Sequence, residues 1–246
     1  MQFLILILIY RFPCCHIEYF TSDLQLFFTC NFSYRRNTLS GEWFHLLNVV
    51  GVAFFAVSGT LLAHKKDVDG LGIVVLASVT ALGGGTLRDI LLNQPVFWVA
   101  HADYLYATYA AVFVTVFLIR VVSKFSGYYF LLADAFGLGL YNIVGIEKSL
   151  INDAGMVVAI TLGTITCIFG GLIRDVICSE IPLVLRGGLY ATACIAGGLV
   201  YAALFLLDVS YGWCIIASLA TTVFLRLGAI RWNWEPTIFK RGKKLD

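Results

Sequence analysis

Charge is what this chain has least of. Asp, Glu, Lys and Arg make up 13% of its 246 residues, against 60% hydrophobic residues and a mean hydropathy of +0.87. A soluble domain carries about 25% charged and about 45–50% apolar residues, so a water-facing surface cannot be built from this composition. Metal and disulfide chemistry are also missing. Of the seven cysteines, Cys167, Cys178, Cys194 and Cys214 fall inside apolar runs and only Cys14 and Cys15 are neighbours, a spacing that forms neither a ligand set nor a disulfide framework. His45, His64 and His101 stand isolated. With no nucleophile and base together and no phosphate-binding loop followed by lysine, no membrane enzyme, cofactor or metal is expected. The apolar runs do not alternate with polar residues, which excludes a lumen-lined barrel.

What is present is a series of apolar runs, each near the length needed to cross a hydrocarbon core about 30 Å thick. They read as spans at Phe44–Ala63, Leu71–Leu92, Tyr104–Val122, Tyr128–Ile146, Ala154–Cys178, Gly188–Leu207 and Gly212–Leu227. The expected fold is therefore an all-α membrane protein with seven transmembrane helices. Phe3–Tyr10 is too short to span, lacks a leading basic region and runs into Arg11 and Pro13, so residues 1–40 are set apart as an extension of unknown role.

Basic residues orient the chain. With the C-terminus inside, the inner loops and tail hold Lys65, Lys66, Arg120, Lys124, Arg186, Arg231, Lys240, Arg241, Lys243 and Lys244, against Arg35, Arg36 and Lys148 outside. The excess predicts N-terminus out and C-terminus in, with the basic tail (231–246) as a cytoplasmic anchor and not a nucleic-acid arm.

Sliding the chain against itself by 86 positions superposes Gly51 on Gly137, Gly59 on Gly145, Gly84-Gly85 on Gly170-Gly171, Arg88-Asp89 on Arg174-Asp175, and Asn48 on Asp134. After a two-residue slip, Leu105-Tyr106-Ala107-Thr108 recurs as Leu189-Tyr190-Ala191-Thr192. The first repeat is read as 41–125, the second as 126–208, the seventh span as 209–230, without a partner and supporting the bundle from outside. Three spans per repeat is an odd number, so the second copy enters the membrane inverted.

The chemistry gathers in two related segments, Gly83-Gly84-Gly85-Thr86-Leu87-Arg88-Asp89 and Phe169-Gly170-Gly171-Leu172-Ile173-Arg174-Asp175. Consecutive glycines predict a bend or local unwinding whose freed carbonyls face a wet path; close helix packing is the structural alternative. Charges inside a span are costly and face a bundle interior or cavity. At 1.5 Å per residue Arg88 lies roughly 26 Å from the inner start of its span and Arg174 roughly 30 Å from the outer start of its own, so the two pairs sit at opposite mouths. An Asp134–Arg174 ion pair and an Asn48–Arg88 hydrogen bond are expected, serving either as gates or as static ties. Glu147-Lys148 reads as an interfacial pair snorkelling to water, and Trp43, Trp98, Trp213, Trp232 and Trp234 as interfacial anchors.

The twofold Gly-Gly-x-x-Arg-Asp motif, the three-plus-three-plus-one arrangement and the topology resemble the prokaryotic trimeric intracellular cation (TRIC) channels, over roughly residues 42–230, a group overlapping bacterial membrane proteins whose repeat is called the glycine transporter domain. The resemblance implies a homotrimer in a bacterial inner membrane, each subunit passing potassium and sodium among spans one, two, four and five. By motif position the pore residues would be Gly83, Gly84, Gly85, Arg88 and Asp89, with Gly170, Gly171, Arg174 and Asp175; Phe169 replaces the first glycine in the second copy. Two other functions remain open: a secondary transporter for a small amino acid such as glycine, with Arg and Asp as ligands, and a scaffold without transport.

Overall fold

The computed structural model describes residues 42–121, 127–186 and 189–232. The expected extension before residue 41, Lys124, Trp234 and most of the basic tail lie outside the described residues. Helices α1 (Glu42–Lys65), α2 (Gly70–Leu91), a single turn α3 (Phe97–Ala100) and α4 (Asp103–Val121) form the first repeat. Helices α5 (Gly127–Ile151), α6 (Met156–Ile177), a 3-10 turn at Leu183–Leu185 and α7 (Ala191–Leu206) form the second, followed by α8 (Tyr211–Trp232). Five described helices, α1, α2, α5, α6 and α8, are long and apolar enough to cross a membrane, and α4 and α7 are shorter apolar helices.

The repeat is visible in helix ends as well as helices. Asp67 and Asp153 close α1 and α5 in the left-handed region, and Asn93 and Ser179 close α2 and α6 in the same way, each pair 86 positions apart. Short polar residues tolerate that conformation and stop a helix sharply, so each long span turns back at once.

Packing follows the same operator. Gly51 receives the ring of Tyr141 as Gly137 receives that of Phe55, and these two rings meet edge-on at 5.1 Å. Gly59 lies on Ala77 and Thr80 of α2, as Gly145 lies on Gly163 and Thr166 of α6. The two repeats then cross at α2 and α6: a Cβ on Gly84 would overlap the Thr166 carbonyl oxygen, and one on Gly170 the Thr80 carbonyl oxygen. This is the close backbone approach that small residues permit between helices.

The third helix of each repeat corrects the expected slip. Tyr104 and Tyr190, Thr108 and Cys194, and Thr115 and Tyr201 are all buried at the constant offset of 86, whereas Tyr106, the slipped partner of Tyr190, is 69% exposed. The four-residue identity is a coincidence of letters; the phase of the buried face sets the true register.

Candidate functional site

Arg88 and Arg174 are the largest side chains with no exposed surface. A guanidinium at membrane depth needs anionic partners, and each arginine finds its first in the next residue. Arg88 Nε donates to Asp89 Oδ1 at 2.8 Å, and Arg174 Nε to Asp175 Oδ1 at 2.9 Å. The other carboxylate oxygen accepts a backbone N–H eight residues on, from Phe97 at 2.8 Å in the first copy and from Leu183 at 2.9 Å in the second. Each aspartate thus pins the chain that leaves its helix while holding its arginine.

The remaining partners differ. The expected Asp134–Arg174 ion pair is present, with Arg174 Nη1 2.8 Å from Asp134 Oδ1. The same nitrogen donates to the hydroxyl of Ser58, and the Phe130 ring lies under the guanidinium at 4.6 Å. The expected Asn48–Arg88 hydrogen bond is not formed. Asn48 faces Tyr104 of α4, and its Oδ1 takes no hydrogen bond among the described residues. An amide carries no charge to draw the guanidinium across, and Arg88 Nη1 takes no hydrogen-bond partner among the described residues.

Lys148 corrects a second expectation. It is not an interfacial pair with Glu147: its Nζ lies 2.8 Å from Asp89 Oδ1 with 18% of the side chain exposed. Glu147 is fully buried and its Oε1 accepts from the Tyr201 hydroxyl of α7, with Tyr211 of α8 also bonded to it. Consecutive helical residues project about 100° apart, so Glu147 and Lys148 face different neighbours.

The ion-pair cluster at Arg88 therefore holds two cations against one carboxylate, and that at Arg174 one cation against two, with Arg226 of α8 as a further cation close by. Asp134 Oδ2, fully buried, accepts no hydrogen bond among the described residues, which leaves acceptor capacity at that cluster. Arg226 of α8 was not anticipated. It is 5% exposed and covers the Tyr190 ring at 4.5 Å, beside the Asp134–Arg174 group. The last helix packs against α5 and α7 and contributes a charge to their interior, more than the outside support expected of it. An arginine inside an apolar span was the available signal.

The glycines do not unwind their helices: α2 and α6 run through Gly83–Gly85 and Gly170–Gly171 without a break. Continuous hydrogen bonding and the crossing contacts hold the backbone helical. Gly84 and Gly170 form the crossing, Gly85 receives the Phe97 ring, Gly171 lies beside Tyr190 and Arg174, and Gly83 leaves room for Ile173. Trp98 is partly buried and its indole N–H donates to Thr86 Oγ1 at 2.9 Å; Trp43, Trp213 and Trp232 are exposed at helix ends. Among the described residues no group of three or more His, Cys, Asp or Glu could cage a metal.

An all-helical bundle of two related three-helix units plus one helix, with buried charges at both ends, defines a multi-pass membrane protein built from an internal repeat. The chain belongs to the family described as Glycine transporter, whose pattern matches twice, at residues 45–120 and 131–206, again 86 positions apart. It is 40% identical over 211 residues to a UPF0126 membrane protein of Vibrio cholerae serotype O1, covering 85% of this chain and 87% of that one. It is 41% identical over 195 residues to the UPF0126 inner membrane protein YadS of Escherichia coli K12, covering 78% and 94%. Its fold is that of the TRIC channels. A trimeric intracellular cation channel orthologue from Rhodobacter sphaeroides superposes with a TM-score of 0.74 at 35% identity, over 79% of this chain and all of that one. A second structure, described under conductance through TRIC cation channels, gives 0.70 at 33%, covering 80% and 97%.

Proposed function

We propose that this protein is a channel for monovalent cations, potassium and sodium, with a path inside each subunit between the two repeats. The path runs among α1, α2, α5 and α6, from the mouth of Asn48, Arg88 and Asp89 to that of Asp134, Arg174 and Asp175, past the crossing at Gly83–Gly85 and Gly170–Gly171. The observation that carries this reading is the pair of buried Arg-Asp clusters at opposite ends of these four helices, one of them with two carboxylates and a carboxylate oxygen that accepts no hydrogen bond among the described residues. Structures of similar sequence and fold described as cation channels support it. The proposed assembly is a homotrimer in a bacterial inner membrane with its N-terminus outside, in keeping with the basic residues gathered at the opposite ends of the helices and with a relative described as an inner membrane protein.

The glycine-carrier reading has less support from the geometry. A zwitterion would need a guanidinium and a carboxylate facing it, and in both copies the Arg and Asp of the motif are bonded to each other. Purified protein in potassium-loaded liposomes tests both readings. Potassium efflux altered by Arg88→Ala or Arg174→Ala, without saturable uptake of labelled glycine, is the expected result. Saturable glycine uptake with negligible electrical leak overturns it.

A further inference from the structure

Between α1, α2 and α4 lies a cavity of about 720 Å³ that has no counterpart in the chemistry of the two mouths, lined by Ile73, Val74, Tyr109, Val112, Phe113 and Val116, with His64 and Gly70 at one end. The repeat explains why it exists. At the equivalent place in the second copy Ile160 of α6 presses against Gly198 of α7, where an added Cβ would come within 2.8 Å of it. In the first copy those positions are Val74 and Val112. A β-branched residue in place of glycine holds α4 away from α2, and the gap stays open. The second copy is further covered by α8, on which Gly197 packs at Ser218 and Thr222, while no described helix lies over α4.

An apolar gap in a membrane protein fills with apolar matter, and its entrance says what is attached. His64 lines the entrance and Lys65 follows it, both exposed where α1 ends. Lys65 has no ionic partner among the described residues, unlike Lys66, which lies 2.6 Å from Glu180. A basic side chain at the membrane surface attracts anionic lipid. We propose that this cavity holds one acyl chain of an anionic glycerophospholipid, whose headgroup is bound by Lys65 and His64.

The test uses the full-length protein, purified in detergent and delipidated, with native mass spectrometry after adding phosphatidylglycerol or phosphatidylethanolamine. The wild type is expected to retain one tightly held phosphatidylglycerol per subunit in preference to phosphatidylethanolamine. Gly70→Leu, whose side chain enters open space at the entrance, and Val74→Phe, which fills the cavity, are each expected to weaken that adduct about tenfold. Two variants keep the test usable if one misfolds, with thermal melting as the check. Lys65→Gln is expected to abolish the headgroup preference while leaving the adduct. Equal retention by the wild type and both filled variants overturns the proposal, as does equal binding of the two lipids by the wild type. A change in oligomeric state on filling, with lipid retention unchanged, overturns it in favour of an interface between copies of this chain.

Discussion

Lys148 brings its ammonium 2.8 Å from the Asp89 carboxylate that already holds Arg88, and its counterpart one repeat earlier, Leu62, brings no charge to Arg174. Together with Asn48 standing where the second copy has Asp134, this single lysine makes the two mouths electrically unlike although their motifs are the same. On the proposed path, a cation passing Arg88 would meet the added positive charge of Lys148, and one passing Arg174 the added carboxylate of Asp134. Like charges at about 4 Å repel by about 4 kcal/mol at an effective dielectric of 20, which would make Lys148 a barrier on the proposed path.

Lys148→Gln is therefore expected to raise potassium flux several-fold in liposomes, with little change at the other mouth. Unchanged or reduced flux would mean that Lys148 is a tie and no barrier.

Asp134→Asn gives the second mouth the amide that the first has. It removes the carboxylate that Arg174 Nη1 shares with Ser58 and leaves Asp175 as that arginine's anionic partner. Removing one partner of a buried ion pair costs about 3–5 kcal/mol, and cation flux is expected to fall as that mouth loses a negative charge. Thermal melting and liposome efflux on the same preparation separate the two effects.

The Asp134–Arg174 contact was legible in the sequence because buried opposite charges at helix ends facing the same membrane surface have few other places to go. The Asn48–Arg88 bond does not form for the complementary reason: a neutral amide exerts no comparable pull. Lys148 and Glu147 were misread because sequence adjacency looks like pairing, while a helix sends neighbours to different faces. The glycines read correctly as a place where backbones come close and wrongly as a place where helices open, since composition alone does not say whether a partner helix is there to hold them. Arg226 lay in plain view and needed only the rule applied to Arg88.

Gly84→Ala is expected to destabilise the fold by about 2–3 kcal/mol, because its Cβ meets the Thr166 carbonyl oxygen, a backbone atom that cannot swing aside. Gly170→Ala meets Thr80 in the same manner and should cost a similar amount. Gly155→Ala, with open space around it, is the control and should leave the melting temperature nearly unchanged.

Outside the spans, Glu180 accepts from Lys66 of the α1–α2 turn at 2.6 Å and from Arg186 at 2.5 Å, tying loops of the two repeats together. The Lys66 and Arg186 hydrogen bonds hold its carboxyl below the usual glutamate range. A depressed folded value means the tie is fully present above the ordinary glutamate pKa and is lost as pH falls through the lower one. The wild type should thus melt slightly higher than Glu180→Gln at neutral pH, and the difference should vanish in acid. A difference that persists in acid would assign the contact to shape and not to charge.

The crossing of α2 and α6 lies between Thr80 and Gly84 on one helix and between Thr166 and Gly170 on the other, close to the middle of each. Because the backbones touch there and the side chains have been stripped away, that point is the natural fulcrum for any tilt of one repeat against the other. Each helix then acts as a lever with a charged cluster near one end only, so a rotation that spreads Arg88 from α5 swings Arg174 relative to α1 at the far side. On such a pivot, movement at one end would be felt at the other.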